Sequence, residues 1–499
     1  MLGTSRANRL DNVRLQVTLT AALLFMLAGC SHIDAPAVAL QSPTALTMAF
    51  GLTTGTSPQS GARQAAELIS GETLVGFSRD GRPQARLAES WSVSADGLSL
   101  SIRLRNNATF HDGQPVTAAA VRDTLARQLP AVLGPAFADI GDIRATSSNQ
   151  VDFVLKHRSF LLEGLADVGI RAGELPGGGP NNTGPFRVLS LTDQGAEMVA
   201  NEKYYGGKPS ISRIEIKPYG SVRAAWAEML RGNVDMLYEV GTDALASLEP
   251  SNNIRVITNQ RNYAYAVILN VQRTALKSSD FRVALNAAVD RDALVADVLK
   301  GHATPAKGTV WPHHWAYEAR GTEFSYAPRL TGSESHRFTC LVLDASHERL
   351  ALALQKQLHA VGVEMDLKRM SLDEGLPLVR AGSFDAFLAD FQLGSSLLQP
   401  YRFWRSGGPR NWGHFSDSDV DRALDAIRDA SNDDQAYRSG VAAFQRAIFN
   451  NPPAIFLAWT ERARAVSTRF EVAIEPGRDI LGTLRQWRPL SPQQVASRN

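Results

Sequence analysis

Cysteine is nearly absent: the 499 residues hold two, Cys30 and Cys340. Disulfides are thereby excluded as the main source of stability, and a chain of this length must rely on apolar cores. No comfortable membrane span is visible either. The apolar run VTLTAALLFML, residues 17–27, falls short of the roughly 20 residues that cross a bilayer. An excess of one charge is also lacking, with 52 Lys and Arg against 50 Asp and Glu. Net charge therefore gives no sign of a nucleic-acid partner. Finally, HExxH, GxxxxGK[ST] and a GxSxG between strand and helix are all missing, which removes the commonest metalloprotease, P-loop and serine-hydrolase frameworks. The 44% hydrophobic and 20% charged content is that of an ordinary folded protein, long enough for two or three domains.

What is present begins with a leader. Arg6, Arg9 and Arg14 precede the apolar run, and Leu27, Ala28, Gly29 and Cys30 follow it. Basic region, short apolar core and small residues are the order of a secretory signal peptide. Residues 1–29 read as that leader, and residues 30–44, short and rich in Ala, Pro and Ser, as a tether. The leader holds three Arg and one Asp, so the chain without it carries no appreciable net charge. Cys340, in the apolar run RFTCLVLD, reads as an inert buried thiol.

The remainder alternates strand and helix signals. LSLSIRLR, residues 98–105, has Leu98, Leu100, Ile102 and Leu104 on one face and Ser or Arg on the other, the period of a half-buried strand. The preceding Ala95, Asp96 and Gly97 form a hairpin turn. Strands are also expected over residues 45–52, near Ile214 and near Met365. Helices are expected after a Ser near Asp280, after Asp290 with Gly301 as the stop, and after Ser416, where Asp419 takes the capping-box position. Residues 337–370 read strand, helix, strand, a βαβ unit. The fold class is α/β.

Four places invite a chemical reading. His111 and Asp112 in FHDGQPVT are half of a catalytic or metal site, or else a turn in which Asp-Gly permits positive φ and Thr117 caps a helix starting at Ala118; the turn is favoured. His313 and His314 are adjacent, and adjacent side chains in extended structure point apart, so aromatic surface from Trp311 and Trp315 is expected there rather than a metal. The Gly-rich stretch RAGELPGGGPNNTG has no following Lys for phosphate and reads as a loop. The aromatic segment from Phe384 to Trp412 contains Asp390, an acid that must be solvated, hydrogen-bonded or paired with a cation. No catalytic constellation, cofactor or metal is expected, so the chain does not read as an enzyme.

Several segments together resemble one family, the extracytoplasmic solute-binding proteins of peptide and nickel ABC importers, family 5. LAESWSVSADGLSLSIRLRNNATFHDGQPVTAAAV resembles its N-terminal signature. NNTGPFRV, NEKYYGGKPSISRIEI and MLRGNVDML resemble its middle block. DFRVALNAAVDRDALVADVLKGHATPA, NWGHFSDSDVDRALDAIRDA and AIFNNPPAIFLAW follow in family order. The resemblance implies a periplasmic-binding-protein-like fold of two α/β lobes with a hinge and an inserted third domain. It places a first lobe at residues 45–62, 183–263 and 472–499, the inserted domain at 63–182 and the second lobe at 264–471. Cys30 matches the lipobox cysteine of bacterial lipoproteins, which implies lipidation there and a periplasmic protein anchored to a membrane.

FLAD resembles the family segment in which an Asp meets a peptide's α-amino group, with Phe387 in the Trp place and Asp390 in the Asp place. Tyr265 and Asn270, in the strand NYAYAVILNVQ, and Trp311 are the other ligand-facing residues implied; Thr54 and Thr56 are weaker candidates. The implied function is capture of a peptide or peptide-like ligand between the lobes by a monomer, and delivery to an inner-membrane ABC permease. The chain departs from the family where FQLGSSLLQP replaces the usual Asp-Pro after Asp390, and where TTGTSPQSGARQAAEL follows the first strand. These departures, with Ser31 after Cys30, leave open a non-transport scaffold or sensory lipoprotein on the same fold.

Overall fold

The computed structural model describes residues 45–51, 58–176, 178–240, 245, 252–329, 336–430, 433–476 and 478–496. The leader, the tether, Cys30, Thr54 and Thr56 lie outside the described residues. An eleven-stranded sheet runs through the molecule. Its path is Val363–Arg369, His336–Val342, Ala386–Gln392, Ile254–Leu269, Ala454–Ser467, Met236–Val240, Ala45–Gly51, Arg213–Tyr219, Gly195–Ala200 and Phe186–Thr192, with Ala303–Pro305 paired to Ala454–Ser467 off the path.

The 16-residue strand Ile254–Leu269 and the 14-residue strand Ala454–Ser467 carry the path from one half to the other. They pair antiparallel in two stretches, residues 254–260 against 461–467 and residues 264–268 against 454–459, with the register broken between Gln260 and Ala264. On one side of the break Met236–Val240 extends the sheet, and on the other Ala386–Gln392 does. Only two strands cross at the break, so the two halves are joined by a neck. Each half has its own core. Leu46, Met48, Ile214, Ile216 and Trp487 belong to the first, and Phe387, Phe403, Trp404, Phe444 and Trp459 to the second.

A separate four-stranded sheet orders Ala88–Val93, Ser99–Leu104, Gln150–Leu155 and Ile140–Ser147. The alternation in LSLSIRLR does what its period requires: Leu100, Ile102 and Leu104 are buried, in one core with Val121, Leu125 and Leu129 of the helix Ala118–Leu133. Gly97 turns the hairpin at φ +73°. The βαβ unit forms as expected: His336–Val342 and Val363–Arg369 pair in parallel, joined by the helix Glu348–His359.

The capping residues divide. Thr117 caps Ala118–Leu133, accepting from Ala120 N at 3.3 Å. Ser278 and Asp290 cap as expected, accepting from Phe281 N and Ala293 N. Ser416 does not cap the helix Ser418–Asp429. Asp417 does, accepting from Asp419 N and Val420 N, while Ser416 Oγ bonds Ser406 Oγ. A carboxylate is a stronger acceptor than a hydroxyl, and it takes two orphan N–H groups at once. A true capping box lies unread at Ser371 and Glu374.

Candidate functional site

The break in the neck is polar. Gln260, Arg261, Asn262 and Tyr263 interrupt one apolar strand, and Glu461 and Arg462 interrupt the other. The ladder between the two long strands lapses between Gln260 and Ala264, and polar residues are admitted in and beside that gap. They line a cavity of about 620 Å³, with Arg79, Trp311 and the C-terminal segment around Glu475, Arg478 and Asp479 on the other walls.

The wall residues hold one another. Gln260 donates to Thr304 Oγ1 at 2.8 Å, and Asn262 to Ser395 Oγ at 3.0 Å. Arg79 reaches Gln260 Oε1 at 3.5 Å and lies 3.4 Å from His313 Nε2. Trp311 donates from its indole to Arg79 O at 3.3 Å and meets Trp459 edge-on, ring centres 5.0 Å apart. Arg261 lies 4.1 Å over the Tyr263 ring and 3.5 Å from Asp390 Oδ2. The turn carrying Arg79 is pressed onto the second half. Gly81 has φ +83°, and a Cβ there would lie 2.4 Å from Ser395 O, so this position needs glycine on two counts.

Charge in the cavity is unevenly spent. Asp479 is clasped by Arg464, whose Nε and Nη2 lie 2.9 and 2.7 Å from its two oxygens. Burial works to raise the Asp479 pKa, but the facing Arg464 outweighs it and holds the carboxyl below the ordinary Asp range. Glu475 accepts from Arg478 Nη1 at 2.8 Å. Glu461 is pushed up by burial, against the pull of His302. Arg462 has charge to spare: it lies 5.6 Å over the Tyr238 ring, and its buried Nε has no hydrogen-bond partner among the described residues. With Asp479 and Glu475 held by their own arginines, the cavity is suited to a ligand that brings an anionic group.

The residues expected at the site are spread over this region. Trp311 lines the cavity. Asp390 and Tyr265 stand opposite each other on paired strands, their side chains on one face. Asp390 is a third exposed, but it is not among the residues lining the cavity and meets it only through Arg261. Tyr265 stands edge-on to His347 and lines a small neighbouring hollow; burial, then the charge of Asp390, push its phenol up to about 12. Phe387 is in the second core, against Phe384, Phe391 and Trp412, on the opposite face from Asp390. Asn270 is 2% exposed and donates to Gly382 O and Phe384 O, both at 3.0 Å. Arg79, Arg261 and Arg462 were not singled out from the sequence. The signal was there, since RNY and ERAR each break an otherwise apolar strand.

His111 and Asp112 turn to different partners. The imidazole Nε2 lies 3.0 Å from Gly184 O and its pKa is pushed down to about 4, chiefly by burial. Asp112 binds Asn181 Nδ2 at 2.9 Å and closes its own turn on Gln114 N. His313 and His314 also diverge, the second ring stacking with Trp315 and Tyr437. Among the described residues there is no cluster of metal-binding side chains. Burial pushes the Cys340 thiol up to about 12.

A family model described as bacterial extracellular solute-binding proteins, family 5, matches residues 82–413. A probable D,D-dipeptide-binding periplasmic protein of Escherichia coli K12 is 26% identical over 392 residues, 71% of this chain and 76% of the relative. A glutathione-binding protein of Pectobacterium atrosepticum is 26% identical over 336 residues, 60% of this chain and 63% of that one. Among solved structures, a Campylobacter jejuni protein in complex with Ni(L-His) superimposes with a TM-score of 0.73 at 21% identity, covering 89% of this chain and 99% of its own.

Proposed function

The chain belongs to the bacterial extracellular solute-binding proteins of family 5, and from that premise we propose that it captures a peptide or peptide-like ligand in the cavity at the neck and hands it to an ABC permease. The observation that carries this reading is the position of the cavity. It lies where only two strands join the halves of the large sheet, so a small change in φ and ψ at residues 260–264 and near Glu461 opens or closes it. Closure around a ligand requires no covalent step, and a zwitterion would meet arginine on the walls for its carboxylate and, behind Arg261, Asp390 for its ammonium.

In this reading Asp390 is held by Arg261 at 3.5 Å until the ligand's ammonium displaces or joins the guanidinium. Trp311 gives the apolar wall, with Tyr265 supporting Asp390 from the facing strand. Phe387 and Asn270 set the strand and loop behind them. The lobes are taken as residues 45–62, 183–263 and 472–499 against 264–471, with 63–182 inserted. The protein acts as a monomer in the periplasm, tethered through lipid on Cys30. The D,D-dipeptide-binding relative favours a peptide-like ligand.

The decisive experiment is native mass spectrometry of the purified protein, followed by thermal-shift titration with di- and tripeptides, nickel-histidine and sugars. A ligand that binds only the folded state raises Tm with concentration. Peptides are expected to do so in the native protein, and Asp390→Ala to abolish it. Unchanged peptide affinity in Asp390→Ala, measured by calorimetry, overturns the ammonium assignment.

A further inference from the structure

A second chamber, of about 290 Å³, lies beside the neck cavity and shares Leu68, Arg478, Leu481 and Gly482 with it. Three arginines line it, Arg86, Arg478 and Arg485, together with Glu72, Tyr204 and Tyr205. From their arrangement we propose that this chamber binds a small oxyanion of the phosphate or carboxylate class. The assignment rests on this chain's own residues and stands whether or not the neck cavity takes peptides.

The guanidinium groups are placed by glycine. A Cβ at Gly76 would lie 2.8 Å from Arg86 Nε, one at Gly482 would lie 2.6 Å from Arg478 Nε, and one at Gly206 would lie 3.4 Å from Arg485 Nε. Arg86 and Arg478 thus rest against backbone that any side chain would crowd, and Arg485 lies in contact with a third glycine. Three planar forks directed at one small space match the several oxygens of a phosphate or a pair of carboxylates.

The acids nearby consume only part of this charge, since Glu475 pairs with Arg478 and leaves Arg86 and Arg485. Glu72 is filled: Tyr204 and Tyr205 donate to its Oε1 at 2.6 and 2.7 Å, and Thr183 to Oε2 at 3.1 Å. Glu475 is filled as well, by Arg478 at 2.8 Å and Gln486 at 2.9 Å. Neither Arg86 nor Arg485 has a side-chain hydrogen bond to an acceptor among the described residues. Arg86 is further set against Arg478: burial and then that like charge lower its pKa, while Tyr205, Glu475 and Glu72 act the other way through space. Arg86 and Arg485, gathered beside the paired Arg478 without acceptors of their own among the described residues, are costly until an anion arrives.

The anion has two sources, a free ion or the acidic end of a ligand that enters through the neck cavity. The test is isothermal calorimetry and thermal shift in chloride buffer, with inorganic phosphate in one arm and trialanine, free or amidated at its C-terminus, in the other. The proteins are the native chain, the double variant Arg86→Gln/Arg485→Gln and its Arg→Lys counterpart. Saturable phosphate binding that weakens at least tenfold in the Gln variant, with a smaller loss in the Lys variant, identifies a free-ion site. A response to trialanine with a free but not an amidated C-terminus, lost in the same Gln variant, identifies the tail of a larger ligand. Binding of both probes that is unaltered in the Gln variant, or no saturable response to either, overturns the proposal. Without probe the Gln variant should melt no lower than the native chain. If it fails to fold, Arg485→Gln alone carries the same test.

Discussion

Asp479 and Glu163 are both acids withdrawn from water, one in the C-terminal segment packed on the neck, the other where the region of the four-stranded sheet meets the second half of the large one. Asp479 has Arg464, 2% exposed at its side chain, clasping both oxygens, and its pKa falls below the ordinary range. Glu163 lines a hollow of about 170 Å³ with Ser395, Ser396 and Gln399 and has no side-chain partner among the described residues. Burial alone pushes its carboxyl up to about 7, and Tyr437, raised first by its own burial, is raised further by the Glu163 charge. One contact is built to be permanent. The other costs free energy whenever its acid ionises.

Three substitutions break or sharpen that contrast. Arg464→Ala turns Asp479 into a second stranded acid and is expected to cost about 3 kcal/mol, the low end for a broken buried pair because Asp479 keeps a third of its side chain exposed, read as a large fall in Tm at pH 7. Glu163→Gln acts in the opposite direction and only above a certain pH. The folded chain holds the Glu163 proton more tightly than the unfolded chain. Stability from this group is therefore highest below the ordinary Glu value near 4.5, declines as pH rises and is fully lost above about 7. Glu163→Gln should match the native chain near pH 4 and exceed it by roughly 1–3 kcal/mol at pH 8; equal melting of the two proteins at both pH values would refute this account. His111 and His314, both pushed down to about 4 by burial, give the reverse slope, losing stability as pH falls below 6.5, and both proteins share it. The smallest effect is that of Thr117→Ala, which removes a cap and no charge. It should cost about 1 kcal/mol equally at both pH values and so provides the baseline against which the pH-dependent change is read.

The parts of the fold visible in the sequence were those governed by neighbours along the chain. Thr117 caps because Pro115 and Val116 extend the chain into it, and the alternation around Ile102 needs only a period of two. Ser416 was preferred to Asp417 because the two are adjacent and pattern alone does not separate them; the choice depends on Asn451, which donates to the other oxygen of Asp417. The cavity was hidden for a related reason. Arg79, Arg261, Arg462 and Arg478 are far apart in sequence, and nothing local shows that they meet around one cavity. Asn270 was given a place at the ligand because its strand leads to the neck, yet its amide is consumed by two carbonyls more than a hundred residues away.

The strand Ala454–Ser467 lies between Ile254–Leu269 and Met236–Val240 in the large sheet, yet it is made after nearly all the others. Until it arrives, each of those neighbours presents an unpaired edge, and the sheet exists as two incomplete pieces. Joining them requires contacts across some two hundred residues of chain, which makes assembly slow and exposes the intermediates to edge-to-edge aggregation. A ribosome that stops short of residue 454 therefore releases no smaller working version of this protein, only two open sheets awaiting their keystone.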